Sequence, residues 1–288
     1  MKSGVDDVKK SFTGNRKSAM GATVIRSRLR RPGFATNVGK VRRVDEDSLI
    51  ALDVRSAYLS QPRSRLLLMV ADGMGGHSRG DVASRIAVQT VVGALLPILT
   101  SENDIPTTTY HRGIMAAVGL ANQSILAYAQ ARPECEGMGT TLCLVVVDGE
   151  NLHIANVGDS RVYMVNDQEI CQVTRDHSHV QELVDSGEIS AEEARHHPQK
   201  NVITRVVGYY GEVVPDIGCL TGEPGEMVLL CCDGLTNHVP DEEIQRVVAE
   251  NHDPQRACDV LVALANKDGG TDNISVLLAP ANYTLQGD

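Results

Sequence analysis

The chain has no Trp, two Phe and seven Tyr, an aromatic share of 3%. A core built from it has to be aliphatic, and an apolar share of 42% is enough to supply one. No apolar run approaches the roughly 18 residues that a membrane-spanning helix needs. The opening MKSGVDDVKK has no long apolar stretch, so no secretory signal is expected. The seven Cys are odd in number and include no C-x-x-C pair, which argues against a structural zinc site. Cys143 in TLCLVVV, and Cys231 and Cys232 in VLLCCDG, sit in apolar runs. They read as free buried thiols in a reducing compartment, and a cytoplasmic location is the expectation.

Charge is unevenly placed. Residues 1–43 carry 12 Lys+Arg and 2 Asp+Glu, and the rest carries 15 and 35. A basic leader therefore precedes an acidic body. Such a body is a poor match for nucleic acid, and it is suited to gathering carboxylates around cations. Residues 1–32 are polar, basic and without sustained periodicity. They read as a disordered N-terminal arm ending near Arg31-Pro32-Gly33. Residues 33–282 read as one domain and 283–288 as a short tail.

Apolar runs predict strands at 48–54 and 65–71. Helical spacing follows over 80–97, with Ala83, Ile86, Thr90, Gly93 and Leu96 on one stripe. It recurs over 110–130, with Ile114, Ala117, Val118, Ala121, Ile125 and Tyr128. Strands are expected at 139–147, 151–157, 161–165 and 169–173, with tight turns at Asp148-Gly149 and Asn166-Asp167. A polar, partly helical stretch covers 176–200. Then come the apolar run VLLCC, a helix from Asp241, a helix from Pro254 capped by Asp253, and a strand at 273–279. Strands in runs, then helices, then strands again argue for an α+β fold with antiparallel sheets.

Five aspartates punctuate the predicted strand ends: Asp47 in VDEDSLIAL, Asp72 in VADGMGGH, Asp159 in VGDS, Asp233 in LLCCDG and Asp272 in GGTDN. A single Asp-Gly is most often a plain turn. The joint set is far more specific, and DGMGGH after a buried strand is its most specific member. Crowded carboxylates repel one another unless protonated or bridged by cations. Hard divalent ions such as Mg²⁺ and Mn²⁺ prefer oxygen ligands, and flanking glycines let backbone carbonyls join them. The pattern reads as a carboxylate cage for two or more divalent ions.

In these motifs the sequence resembles the metal-dependent (type-2C, PPM) protein phosphatases in their bacterial form. The resemblance is carried by VGKVRRVDEDS (38–48), DGMGGHSRGDVAS (72–84), GMGTTL (137–142), ANVGDSRVY (155–163), VTRDHSHVQELVDSGEIS (173–190), NVITRVVG (201–208), LLCCDGL (229–235) and GGTDNISVLL (269–278). Two positions depart from the bacterial pattern. The first motif reads DED in place of NED, and Asp81 stands where Glu is usual.

The resemblance implies a four-layer α-β-β-α sandwich, two antiparallel sheets flanked by helix pairs, with the metals at one end between the sheets. It implies hydrolysis of phosphoserine and phosphothreonine by a water that bridges and is activated by two core ions, Mn²⁺ or Mg²⁺. In the implied roles, Asp72 bridges the two ions and the Gly73 carbonyl binds one of them. Asp47 completes one site, with Glu46 beside it ligating through water. Asp233 and Asp272 hold the other ion. Asp159 shares a third, weaker ion with Asp233. Arg42 matches the phosphate-binding arginine, with Arg43 the weaker candidate, and His77 the general acid. His177 matches a motif of the family but takes a structural role. Residues 174–205 correspond to a flap beside the site. The implied partners are phosphorylated Ser/Thr proteins and a Ser/Thr kinase that the enzyme opposes; the expected state is a monomer.

Competing chemistries fare worse. No Cys is followed at the sixth position by Arg, so a C-x5-R thiolate mechanism has no nucleophile loop. Asp45-Glu46-Asp47 follows basic KVRR in place of the buried strand that an aspartyl nucleophile would need. The alternative of another class is a catalytically weak, phosphoprotein-binding scaffold of the same fold. It would normally have lost a carboxylate, and Asp47, Asp72, Asp233 and Asp272 are all present.

Overall fold

The computed structural model describes residues 31–58, 61–75 and 79–283. Their strands, in chain order, are β1 (Gly33–Asn37), β2 (Asp47–Tyr58), β3 (Gln61–Met74), β4 (Gly139–Thr140), β5 (Leu142–Asp148), β6 (Asn151–Val157), β7 (Arg161–Val165), β8 (Ile170–Gln172), β9 (Asp216–Thr221), β10 (Met227–Cys231) and β11 (Ile274–Pro280). The helices are α1 (Gly80–Leu99), α2 (Thr107–Gln130), α3 (His179–Ser186), α4 (Ala191–His196), α5 (Asp233–Thr236), α6 (Asp241–Glu250) and α7 (Pro254–Lys267). One sheet runs β1-β11-β10-β7-β8; the other runs β2-β3-β5-β6-β9, with β4 paired to the end of β3. Every strand pairing is antiparallel.

The unbroken apolar run of β3 follows from its place in the fold. Successive side chains of a strand face opposite ways, and both faces of β3 are covered. Leu67 and Met69 pack with Ala83, Val91, Ile114 and Val118 of α1 and α2. Leu66, Leu68 and Val70 meet Val162, Leu230 and Leu277 of the other sheet. The far side of that second sheet, through Tyr163, Leu229 and Val276, packs on Ile244 and Val247 of α6 and Leu261 of α7. Three stacked cores between four layers make the fold an α-β-β-α sandwich.

Local chemistry sets the helix ends. Asp253 caps α7 by accepting the Gln255 N–H at 3.2 Å. Ser190 and Glu193 form a capping box on α4. At the C-terminal end of α1, Arg65 is 1% exposed. Its guanidinium donates to the carbonyls of Leu99 (3.2 Å), Ser101 (2.7 Å) and Asn103 (3.0 Å), and to Asp148 Oδ2 at 3.1 Å. A buried cation thus satisfies the carbonyls that the helix leaves unpaired. By length and composition α1 could cross a membrane. Its Ala83, Ala87, Val91, Leu95 and Leu99 are instead fully committed to the core.

Several expectations need correction. The buried stripe of α1 is not the predicted one: Gly93 is exposed and Leu96 is 43% exposed. The predicted strand at 139–147 is split at Thr141 into β4 and β5. In the β5–β6 hairpin Asp148 pairs with Asn151, so the turn is Gly149-Glu150, with Gly149 at φ 64°. The β7–β8 connection is a four-residue loop in which Asn166 Oδ1 accepts the N–H groups of Gln168 and Glu169. Tyr283, placed in the tail, is buried and pairs with Gly149, and its hydroxyl donates to Asp53 at 2.8 Å. The packed body therefore includes it. Residues 1–30 of the arm and 284–288 of the tail lie outside the described residues.

Candidate metal centre

Hairpin register places Asp47 of β2 directly opposite Asp72 of β3. One residue on, Gly73 N–H donates to the Glu46 carbonyl at 3.2 Å. A Cβ at Gly73 would lie 2.3 Å from the Gly80 carbonyl oxygen and 2.4 Å from that of Glu46. Glycine is thus required there, because α1 begins against the backbone of the Asp72 strand. That helix starts from Arg79 with no side-chain cap of its own. Glu46 serves instead, its Oε1 accepting the Gly80 N–H at 3.2 Å, where a helix N-terminus favours negative charge.

The remaining motifs converge on this corner through hydrogen bonds. Thr141 Oγ1 accepts the Asp72 N–H at 3.0 Å and lies 2.7 Å from the Ser160 hydroxyl, joining GTT to GDS. Thr140 and Thr141 both donate to the Asp72 carbonyl at 2.9 Å. Gly158, just before Asp159, donates its N–H to His177 Nδ1 at 3.0 Å, while His177 Nε2 lies 3.2 Å from Asp216 Oδ2. His177 and Arg205 hold the Asp216 carboxyl well below the usual carboxylate range. His177 is therefore a staple for the Asp159 loop. Asp233 opens α5, and its Oδ2 accepts from Asn237 Nδ2 at 3.0 Å. Asn273, beside Asp272, accepts the Glu46 N–H at 2.8 Å and donates to the carbonyls of Val38 (3.0 Å) and Val44 (2.9 Å). It fixes the loop that carries Arg42.

The electrostatics describe one shared field. Burial, then the charges of Asp47, Asp233, Asp159 and Asp272, push the Asp72 carboxyl well above its usual range. Burial raises Asp159 likewise, with Asp233 and Asp176 adding to it. Burial and Asp272 raise Asp233. Burial pushes Asp47 up to about 7. Both Asp47 carboxylate oxygens are shut from solvent without a hydrogen-bond partner. Orphaned buried oxygens among mutually repelling carboxylates suit divalent cations, which prefer hard oxygen donors. The residues present fit such ions.

The structure thus brings Asp47, Asp72, Gly73, Asp159, Asp233 and Asp272 to one end of the sandwich. Arg42 stands at its rim: its guanidinium donates to Asp272 Oδ2 at 2.7 Å and lies 3.9 Å from Glu46, with 44% of the side chain exposed. His77 lies outside the described residues. A cleft of about 420 Å³ runs from Asp159 and Asp233 to the flap residues Gln181, Ala194 and Lys200. Three contributors escaped the sequence reading. Asn273 and Asn237 gave no signal beyond adjacency to a motif. Cys232 lay within an apolar run, yet its Sγ and one oxygen each of Asp47 and Asp72 lie within 4.8 Å of one another.

Sheet pair, flanking helices and an acidic cage at one end define an α-β-β-α sandwich suited to holding divalent cations. A family profile described as protein phosphatase 2C matches residues 55–267. The serine/threonine phosphatase stp of Listeria monocytogenes is 38% identical over 257 residues, 88% of this chain and 97% of the relative. A crystal structure of a bacterial serine phosphatase superposes with a TM-score of 0.77 at 34% identity, covering 89% of this chain and 100% of the other. The catalytic domain of the serine/threonine protein phosphatase PstP in complex with two manganese ions gives 0.72 at 34% identity, over 88% and 98%. The chain belongs to the protein phosphatase 2C family, whose enzymes are metal-dependent.

Proposed function

We propose that the protein is a metal-dependent protein serine/threonine phosphatase acting on phosphoserine and phosphothreonine, with the carboxylate cage as its active centre. The observation that carries the reading is the convergence of Asp47, Asp159, Asp233 and Asp272 on Asp72, beside the orphaned oxygens of Asp47. Asp47, Asp72, the Gly73 carbonyl, Asp233 and Asp272 are assigned two core ions, Mn²⁺ or Mg²⁺. Glu46 is assigned to one of them through water, and Asp159 with Asp233 to a third, weaker ion. When bound, such ions supply an activated water and offset the charge of the phosphate.

The chain's own residues do the rest. Arg42 offers the N–H groups that Asp272 does not use to phosphate oxygens, a match of fork geometry. His77 is assigned to protonate the leaving Ser or Thr oxygen. The flap forms one wall of the cleft and is assigned substrate access. A Ser/Thr kinase acting in opposition, a monomeric state and a cytoplasmic setting complete the proposal. The relatives named serine/threonine phosphatases support the activity. Phosphate release from a phosphothreonine peptide tests it. Turnover with Mn²⁺ that vanishes in EDTA is expected; full activity in EDTA would overturn the reading.

A further inference from the structure

Away from the acidic corner, two imidazole nitrogens are buried with nothing to bind. They lie where α2 covers the outer face of the sheet β2-β3-β5-β6-β9. Near the start of α2, Tyr110 stacks on His153 of β6, with ring centroids 4.0 Å apart and planes 22° from parallel. The next residue, His111, meets the same ring edge-on at 6.1 Å and 80°. His153 is 2% exposed. Its Nδ1, and Nε2 of His111, are shut from solvent without a hydrogen-bond partner. Orphaned buried atoms of this kind are rare unless a water or an ion completes them. The stacked Tyr110 is itself held: its hydroxyl donates to Asp148 Oδ2 at 2.8 Å, and Arg65 donates to the same oxygen at 3.1 Å. Along the sheet, His153 stands directly opposite Cys219 of the edge strand β9. Opposed residues share a face, and Ile217, two residues before Cys219, packs into the core beneath α2. Cys219 thus joins the two imidazoles on the helix-covered side.

We propose that His111, His153 and Cys219 form a second cation site, separate from the acidic cage, which takes a thiophilic divalent ion such as Zn²⁺ and clips α2 to the edge of the sheet. Two nitrogens and a sulfur suit Zn²⁺, whereas Mn²⁺ and Mg²⁺ keep to carboxylate and water oxygens. The imidazoles are in the form a metal takes. Burial, with His111 adding to it, pushes His153 down to about 4, and burial lowers His111 as well, so both are neutral at neutral pH. Around a tetrahedral ion with Zn–N near 2.0–2.1 Å, two imidazole centroids lie about 5.2 Å apart. The observed 6.1 Å asks for about 1 Å of closure by a side chain close to a helix start. Directly opposed Cβ atoms lie about 4.5–5.5 Å apart, which lets one ion take both the His153 nitrogen and the Cys219 sulfur. On binding, the Cys219 S–H bond breaks and its proton leaves to solvent. A sulfur–metal bond then replaces the 3.9 Å contact of the thiol with the Leu220 carbonyl. His111 and Cys219 are half-buried, which leaves a way in for the ion and for a water in the fourth position.

The test fills the acidic cage first. The full chain is saturated with Mn²⁺ and then titrated with Co²⁺ as a spectroscopic stand-in for Zn²⁺. Four-coordinate Co²⁺ bound by sulfur gives strong visible bands and a sulfur-to-cobalt band in the near ultraviolet; Co²⁺ in an octahedral oxygen cage gives neither. The native protein should show both, and Zn²⁺ should remove them, a result that needs no variant. Zn²⁺ added over saturating Mn²⁺ should also raise Tm, as an ion bound only by the folded chain does. In Cys219→Ser the near-ultraviolet band should vanish. His111→Ala should weaken Co²⁺ binding by at least the tenfold that losing a mere supporting partner costs a metal site. Mn²⁺-dependent aryl phosphate turnover should stay within about twofold in both variants, since neither residue belongs to the cage. Native protein without the bands overturns the inference, and a bridging water then pairs the two nitrogens. Bands that survive both substitutions overturn it as well, because the cobalt then sits in the cage.

Discussion

Asp47→Asn should shift the stability of the metal-free protein in the variant's favour as pH rises. The Asp47 carboxyl is raised by burial from an ordinary 3.8 to about 7. A raised carboxyl contributes its full share of stability below about pH 4. That share is lost as pH rises through about 7, because the folded state must then hold a buried charge. At about 1.4 kcal/mol per pH unit the penalty is about 2 kcal/mol at pH 5 and about 4 kcal/mol at pH 8. The asparagine is neutral throughout. Its unpaired buried amide costs about 1–3 kcal/mol, but equally at both pH values. The stability difference, variant minus native, should therefore shift in the variant's favour by about 2 kcal/mol between pH 5 and pH 8. Removing the Asp47 charge also relieves Asp72, which acts in the same direction. Urea unfolding in EDTA at the two pH values measures this. Saturating Mn²⁺ should reverse the order at pH 8, because the native cage binds the ion only in its folded form. A difference that is flat with pH in EDTA would refute the argument.

Arg42→Ala should raise KM several-fold more than it lowers kcat, since Arg42 is assigned to ground-state phosphate binding. His77→Ala should lower kcat, and more for a phosphothreonine peptide than for an activated aryl phosphate; equal losses would remove its acid role. Asp159→Ala should reduce turnover while calorimetry still counts two Mn²⁺ ions, and loss of both ions would break the assigned division of ligands. A chain starting at Pro32 keeps Arg42 and all five aspartates and should retain its aryl phosphate kcat. Collapse of turnover would make the arm part of the catalytic body.

Central strands and cage aspartates were legible in the sequence because each leaves a strong local mark. β3 and β5 are buried on both faces, so their runs are continuously apolar. The aspartates stand where such runs stop. The edge strands β1 and β9 were missed, since an edge strand buries little and shows weak alternation. On α1 two stripes competed. Ile86, Val92 and Ile98 are apolar and half-buried around the helix, so periodicity alone could not single out the Ala83–Leu99 face. Cys232 was hidden for a different reason. Its apolar neighbours disguise a side chain that alternation turns away from Cys231 and into the acidic cage.

Anomalous scattering from crystals grown with Mn²⁺ tests the central claim most directly. The account predicts two strong peaks between the sheets, one bound by Asp47 and Asp72 and the other by Asp72, Asp233 and Asp272. Carboxylate oxygens should lie about 2.0–2.3 Å from the ions, as hard-cation coordination requires. Peaks elsewhere on the molecule with this corner empty would contradict it.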